Sequence, residues 1–183
     1  RRTHRSMSAQ AAHPRENVFA TVGLDCLLFL WDADAVACRG ARSLRAGGTA
    51  VAVRGAAERA LEDHVAVGYN TGALEVFGYP GLEPVRLPRG RGECASCAKY
   101  SPDGRLLALG SHDNAMYLHD AARNYAPWKA LRGHSSYVKN VDFSFDSRLL
   151  QSSCGAYEIM YWDLATGPCC QGSSDSVEAA TTR

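Results

Sequence analysis

Long apolar runs are missing from this chain: the most extended, Cys26–Trp31, falls far short of the roughly twenty residues that a membrane-spanning helix needs. An excess of one charge is missing too. The formal net charge is +1 and charged residues make up 21 % of the chain, so no strong field is available to hold a nucleic-acid backbone or a membrane surface. No Gly-x-Ser-x-Gly elbow occurs. The Gly-rich turn Gly110–Asp113 leads from one predicted strand into another, so it lacks the helix N-terminus that a phosphate loop requires. The seven cysteines are odd in number and follow no frame. Cys26, Cys97 and Cys154 fall in predicted strands, where a free thiol packs as a small apolar group, and a reducing cytoplasm is expected. No signal-peptide pattern opens the chain, which starts at Arg1 and is expected to be part of a longer protein.

What the chain does have is repetition. Phe19–Asp32, His64–Phe77, Leu106–Asp120 and Leu149–Asp163 say nearly the same thing, and their last large residues, Trp31, Phe77, His119 and Trp162, stand 46, 42 and 43 residues apart. Two copies close on Trp-Asp, and Gly133-His134 opens one. This period and these marks are the signature of a WD40-type β-propeller. The expectation is an all-β fold, a partial propeller of about four blades of four-stranded antiparallel sheet over residues 1–171. The polar stretch 172–183 is expected to be a tail or the start of a further strand. The remainder of the parent ring in the same chain is then the first partner, because an open half-ring leaves blade faces uncovered.

The turns carry their own chemistry. In Ser101-Pro102-Asp103-Gly104 proline presets φ for a turn and glycine supplies φ > 0, and His13–Asn17 and Phe145–Ser147 hold the same place in repeats one and four. Repeat two replaces this turn with Gly55–Asp63, whose Ala, Glu, Arg and Leu content predicts a helical insertion. The third strand of each repeat, Leu27–Trp31 or Ile159–Trp162, is apolar nearly throughout, which predicts burial on both faces. Segments 39–48 and 80–92 read as exposed, mobile connections between blades.

Polar residues recur at fixed places. A His before the first strand, a Ser or Thr on the second, an Asp six residues before the Trp, and the Trp itself can form a buried hydrogen-bonded relay. Repeat one offers Asp25 and Trp31, with His4 as a donor; repeat three keeps Asp113 but has His119 for Trp. Repeat four offers His134, Ser152 or Ser153, and Trp162, with Ala156 in the Asp position, so a broken relay is expected there. A Ser135, His134 and Asp113 or Asp142 hydrolase triad has little to support it, since adjacency of Ser and His in sequence does not create triad geometry. Cys94-Ala-Ser-Cys97 has odd spacing on a strand, which directs the thiols to opposite faces, and no second C-x-x-C exists; no catalytic residue, metal or cofactor is expected. Arg86, Arg89 and Arg91, interleaved with proline and glycine, put three guanidinium groups on one loop, which reads either as a site that attracts acidic peptide tails or as a solvated linker in a composition rich in Ala, Gly and Arg.

Tyr100–Asn114 reads YSPDGRLLALGSHDN, and Gly133–Trp162 reads GHSSYVKNVDFSFDSRLLQSSCGAYEIMYW. Both resemble the last blades of the echinoderm microtubule-associated-protein-like family, with its Y-S-P-D-G-x-x-L-A-x-G-S-H-D-N and G-H-S-S to G-D-Y-E-I-x-Y-W forms. Ala156 departs from that pattern, where the family has Asp. The resemblance implies the second of two tandem propellers in a non-enzymatic cytoskeletal scaffold, with tubulin or microtubules as partners and a cytoplasmic, cytoskeletal location. Arg86, Arg89, Arg91, His112, Asn114, Ser135, Ser136 and Tyr157, on connecting loops, are the candidate contacts; neither nucleic acid nor membrane is expected. The alternative is a general WD40 scaffold in another complex, such as a ciliary, ubiquitin-ligase or signalling assembly.

Overall fold

The computed structural model describes residues 6–55, 62–86 and 93–171, and every regular element among them is a strand. Short turns between alternating or apolar runs produce hairpins, and successive hairpins build four antiparallel sheets, each in simple sequence order. Blade one contains β1 (Met7–Ala12), β2 (Val18–Gly23), β3 (Leu27–Asp32) and β4 (Ala37–Ser43). Blade two contains β5 (Gly48–Arg54), β6 (His64–Tyr69), β7 (Leu74–Gly78) and β8 (Pro84–Arg86). Blade three contains β9 (Ala95–Tyr100), β10 (Leu106–Ser111), β11 (Ala115–Asp120) and β12 (Ala126–Arg132). Blade four contains β13 (Val138–Phe143), β14 (Leu149–Cys154), β15 (Ile159–Asp163) and β16 (Gly167–Gln171). The chain is a partial WD40-type propeller.

The first strands of consecutive blades lie against one another, β1 on β5, β5 on β9 and β9 on β13, so they form the innermost layer. Three apolar seams run between the sheets. Val18, Ala20, Val22, Leu28 and Leu30 of blade one meet Val51, Val53, Val65, Val67 and Phe77 of blade two. Leu74 and Val76 meet Leu107 and Leu109 across the second seam, and Met116, Leu118 and Leu131 meet Leu150, Met160 and Trp162 across the third. Each fully buried Leu or Val removes enough apolar surface from water to contribute about 1.5–3 kcal/mol. The closest approach recurs at one structural place: a Cβ on Gly48 would lie 2.8 Å from Val22 Cβ, one on Gly68 2.6 Å from Ala95, and one on Gly110 2.9 Å from Val138. One side of each seam must therefore be glycine.

Two expectations are corrected. Segments 39–48 and 80–92, read as loops, contain most of β4 and all of β8; these outermost strands face solvent and so carry no apolar pattern to read. Burial on both faces holds for β7 but not for β15, where Ile159 is 42 % exposed while Met160 and Trp162 are buried. A neighbouring blade covers both faces of blade two, whereas among the described residues only one face of blade four is covered. The helical insertion expected in 55–63 falls mostly outside the described residues, as do His4, Arg89, Arg91 and the stretch 172–183.

The turns follow the predicted chemistry. Ser101 Oγ accepts from Leu106 N at 2.9 Å and donates to Asp103 Oδ1 at 2.5 Å, while Arg105 N donates to that same oxygen. Ser144, Asp146, Arg148 and Leu149 repeat the pattern in blade four. The Asp of Trp-Asp also has a local task. Asp32 and Asp163 each accept two backbone N–H bonds from the turn after the third strand, and Asp120 does the same in blade three.

Candidate functional site

Simple up-and-down order divides the loops between two rims. The turns between second and third strands and the connections from one blade to the next share a rim; the remaining turns lie on the opposite one. The first rim of blades three and four carries His112 and Asn114 on the β10–β11 turn, Ser135 and Ser136 on the β12–β13 connection, and Tyr157 on the β14–β15 turn. Asn114 Nδ2 donates to the Ser135 carbonyl at 3.4 Å, the His112 ring lies tilted against that of Tyr137 with centroids 4.9 Å apart, and Tyr157 is 92 % exposed. Arg86 ends β8 in blade two, apart from this group in the fold.

The residue five before the Trp position is left-handed in all four blades: Cys26, Gly72, Asn114 and Tyr157 have φ of 59°, 74°, 66° and 64°. Gly and Asn tolerate this conformation at little cost, whereas a side chain such as Tyr pays about 1–2 kcal/mol.

Behind the rim, blade four holds a continuous polar chain. Trp162 Nε1 can only donate, and it does so to Ser152 Oγ at 2.8 Å. Ser152 Oγ also bonds His134 Nε2, 2.7 Å away, which leaves Nδ1 as the far end of the imidazole. That Nδ1 faces Glu158 Oε2 at 3.5 Å. The break expected at Ala156 falls at this step: Nδ1 has no hydrogen-bond partner, and the nearest carboxylate is supplied two residues later. Ser135 holds that carboxylate from both sides, with its N–H 2.9 Å from Oε2 and its Oγ 2.7 Å from Oε1. These bonds, the backbone N–H first, then the Ser135 hydroxyl and the Cys154 thiol, bring the Glu158 pKa down to about 2. Burial lowers the His134 pKa, opposed by Glu158.

In blade one Trp31 Nε1 donates to Thr21 Oγ1 at 2.8 Å, the place Ser152 holds in blade four. Thr21 went unassigned in the sequence, although it stands two residues beyond the partner of Trp31, as Ser152 stands two beyond the partner of Trp162. Among the described residues blade three has no such chain. Leu109 takes the Ser place, His119 Nδ1 donates to the Tyr125 carbonyl at 3.2 Å, and Asp113 accepts from the Tyr117 hydroxyl and from Ala115 N. The relay reading of Asp113 is corrected accordingly. Nor do Ser135 and His134 meet as nucleophile and base, because Ser135 Oγ is bonded to Glu158 and His134 Nε2 to Ser152. Cys94 Sγ lies near Thr49 and Cys97 Sγ packs at Gly110, with burial pushing the Cys97 thiol up to about 11.

A further polar group went unread in the sequence. Arg54 ends β5 at the place where blades three and four have the turn-closing Ser101 and Ser144, and only 1 % of it is exposed. Its Nη1 donates to His64 Nδ1 at 3.3 Å; Tyr125 bonds that same nitrogen at 2.7 Å, and Tyr100 bonds Tyr125 at 2.8 Å.

The family model for the echinoderm microtubule-associated protein second beta-propeller matches residues 7–181. The chain belongs to that family. It is 36 % identical over 158 residues to "Echinoderm microtubule-associated protein-like 3" of Homo sapiens, covering 85 % of this chain and 17 % of that protein. The "77 kDa echinoderm microtubule-associated protein" of Strongylocentrotus purpuratus is 31 % identical over 159 residues, 85 % of this chain and 22 % of that protein. The "Ciliary WD repeat-containing protein ctxp80" of Euplotoides octocarinatus is 30 % identical over 186 residues, 89 % of this chain and 25 % of that protein. The chain thus spans about a sixth to a quarter of these relatives. No helix among the described residues is long and apolar enough to cross a membrane.

Proposed function

We propose that this chain is a non-enzymatic interaction segment of a microtubule-associated protein, cytoplasmic and cytoskeletal, that engages tubulin or microtubules through the loop rim of blades three and four. The observation that carries the reading is family membership: relatives bearing microtubule-associated names align with most of the chain. The rim supports it, because hydrogen-bonded turns hold His112, Asn114, Ser135, Ser136 and Tyr157 on one side of two adjacent blades. The separation of Ser135 from His134 favours binding over hydrolysis. The remaining blades of the parent ring are the intramolecular partner, and Arg86, Arg89 and Arg91 extend the contact toward acidic peptides. No nucleic acid, membrane, cofactor or catalytic residue enters this reading.

The complete propeller containing this chain should sediment with microtubules or retain free tubulin at low and moderate salt. Replacing His112, Asn114, Ser136 and Tyr157 together by Ala should lower the bound fraction at least threefold with the circular dichroism spectrum unchanged. Absence of association with either at both salts would remove the proposal. The ciliary name of one relative favours a second reading, a scaffold of a ciliary assembly, and affinity capture that recovers an adaptor without tubulin would support it.

A further inference from the structure

The rim end of blade four gathers a nitrogen, a sulfur and an oxygen. His134 Nδ1, Cys154 Sγ and a Glu158 carboxylate oxygen all lie within 4.8 Å of one another. Nδ1 to Oε2 is 3.5 Å and Sγ to Oε2 is 3.2 Å. A tetrahedral zinc ion with bonds of about 2.0–2.3 Å to N, O and S requires ligand edges of roughly 3.3–3.7 Å; the two edges to the carboxylate are close to this, and the nitrogen–sulfur edge, within 4.8 Å, has to close by about 1 Å on binding. The second, independent observation is that the His134 side chain is 1 % exposed and its Nδ1 has no hydrogen-bond partner, although it is aimed at this group. At 3.5 Å the carboxylate is outside good hydrogen-bond range, so a buried ring nitrogen stands unsatisfied.

The surroundings are those of a prepared site. Ser152 fixes the far nitrogen of the imidazole and Ser135 clamps both carboxylate oxygens, as outer partners orient metal ligands elsewhere. Cys154 is buried, and the Glu158 side chain is about one-third exposed, so the carboxylate borders solvent.

We propose that His134 Nδ1, Cys154 Sγ and Glu158 Oε2 form a binding site for a zinc ion. Binding replaces the thiol proton, which passes to solvent, by a zinc–thiolate bond. With Nδ1 bound to the metal, the imidazole proton resides on Nε2, from which it is donated to Ser152 Oγ, and Trp162 donates to that same oxygen. The proposal rests on blade four alone and stands apart from the microtubule reading.

The test is titration of the reduced, folded 183-residue chain with cobalt(II), whose bond to a thiolate gives a near-ultraviolet charge-transfer band and whose four-coordinate form absorbs strongly in the visible. The expected result is a one-to-one band displaced by zinc, abolished in Cys154→Ser and weakened at least tenfold in Glu158→Gln. Cys154 lies outside the Trp162–Ser152–His134 chain, so its variant keeps the fold, checked by circular dichroism, even where His134→Gln does not. Absence of a band in the folded wild-type chain would overturn the proposal. Full retention of the band in Cys154→Ser would do so equally, by assigning the metal to other cysteines.

Discussion

Blade two and blade four share a backbone plan and differ in nearly everything that fills it. At the places of the Trp and Ser of blade four, blade two has Phe77 and Val67, and β6 and β7 are buried from both sides. The one acidic side chain there, Glu75, accepts from the Tyr69 hydroxyl and lies near Arg45. Blade four instead alternates along β14 and β15 and anchors its buried face with Trp162, Ser152 and His134. At these two places the same geometry is thus stabilised either by apolar contact or by a chain of linked hydrogen bonds. The difference teaches that the polar solution is conditional: an apolar core tolerates trimming, whereas a relay fails when one link is lost.

The largest expected effect follows from that asymmetry. Ser152→Ala removes one small hydroxyl, yet it strands Trp162 Nε1 and His134 Nε2, both in buried surroundings. Each orphaned group costs about 1–3 kcal/mol, so a loss of roughly 2–6 kcal/mol is expected in urea unfolding. Val67→Ala at the corresponding place in blade two removes two methyl groups and strands nothing, and should cost less, about 1–2.5 kcal/mol. Equal losses at the two sites would break the comparison.

Most of the frame could be read before the structure. The repeat placed all four blades, and S-P-D-G and S-F-D-S marked hairpins that proved to share their hydrogen bonds. What escaped had physical causes. Strands β4 and β8 are the outermost of their sheets, so solvent, not a neighbour, sets their composition. Glu158 escaped because a longer side chain reaches the same imidazole from two residues further on, which a search at fixed spacing for Asp does not find. Arg54 escaped because a charged residue at a strand end reads as solvated; only the packing of Tyr100 and Tyr125 from blade three buries it.

Acid should sharpen the contrast at intermediate size. Burial first, and then the Arg54 charge, lower the His64 pKa below 6.5, while Glu62, Asp63 and Glu83 act in the opposite direction. The folded blade therefore holds His64 neutral. Below about pH 6.5 the unfolded chain takes up a proton that the folded one refuses, so this contribution is complete above that pH and is lost as pH falls through the lowered value. The melting temperature should drop between pH 7.5 and 5.5, and His64→Asn should reduce the drop. An unchanged drop would assign the acid response to His119 and His134, whose pKa values burial also lowers.

The smallest effect tests the rim. Blade two has Gly72 at the left-handed position where blade four has Tyr157, and the φ values differ by little, 74° against 64°. Tyr157 is almost wholly exposed, so its ring adds little packing to offset the backbone cost. Tyr157→Asn should raise stability by up to about 1 kcal/mol, whereas Gly72→Ala should lower it by about the same amount. If the rim is a contact surface, the Asn variant should bind its partner more weakly despite being more stable. That divergence would place Tyr157 among residues kept for recognition at the expense of the turn.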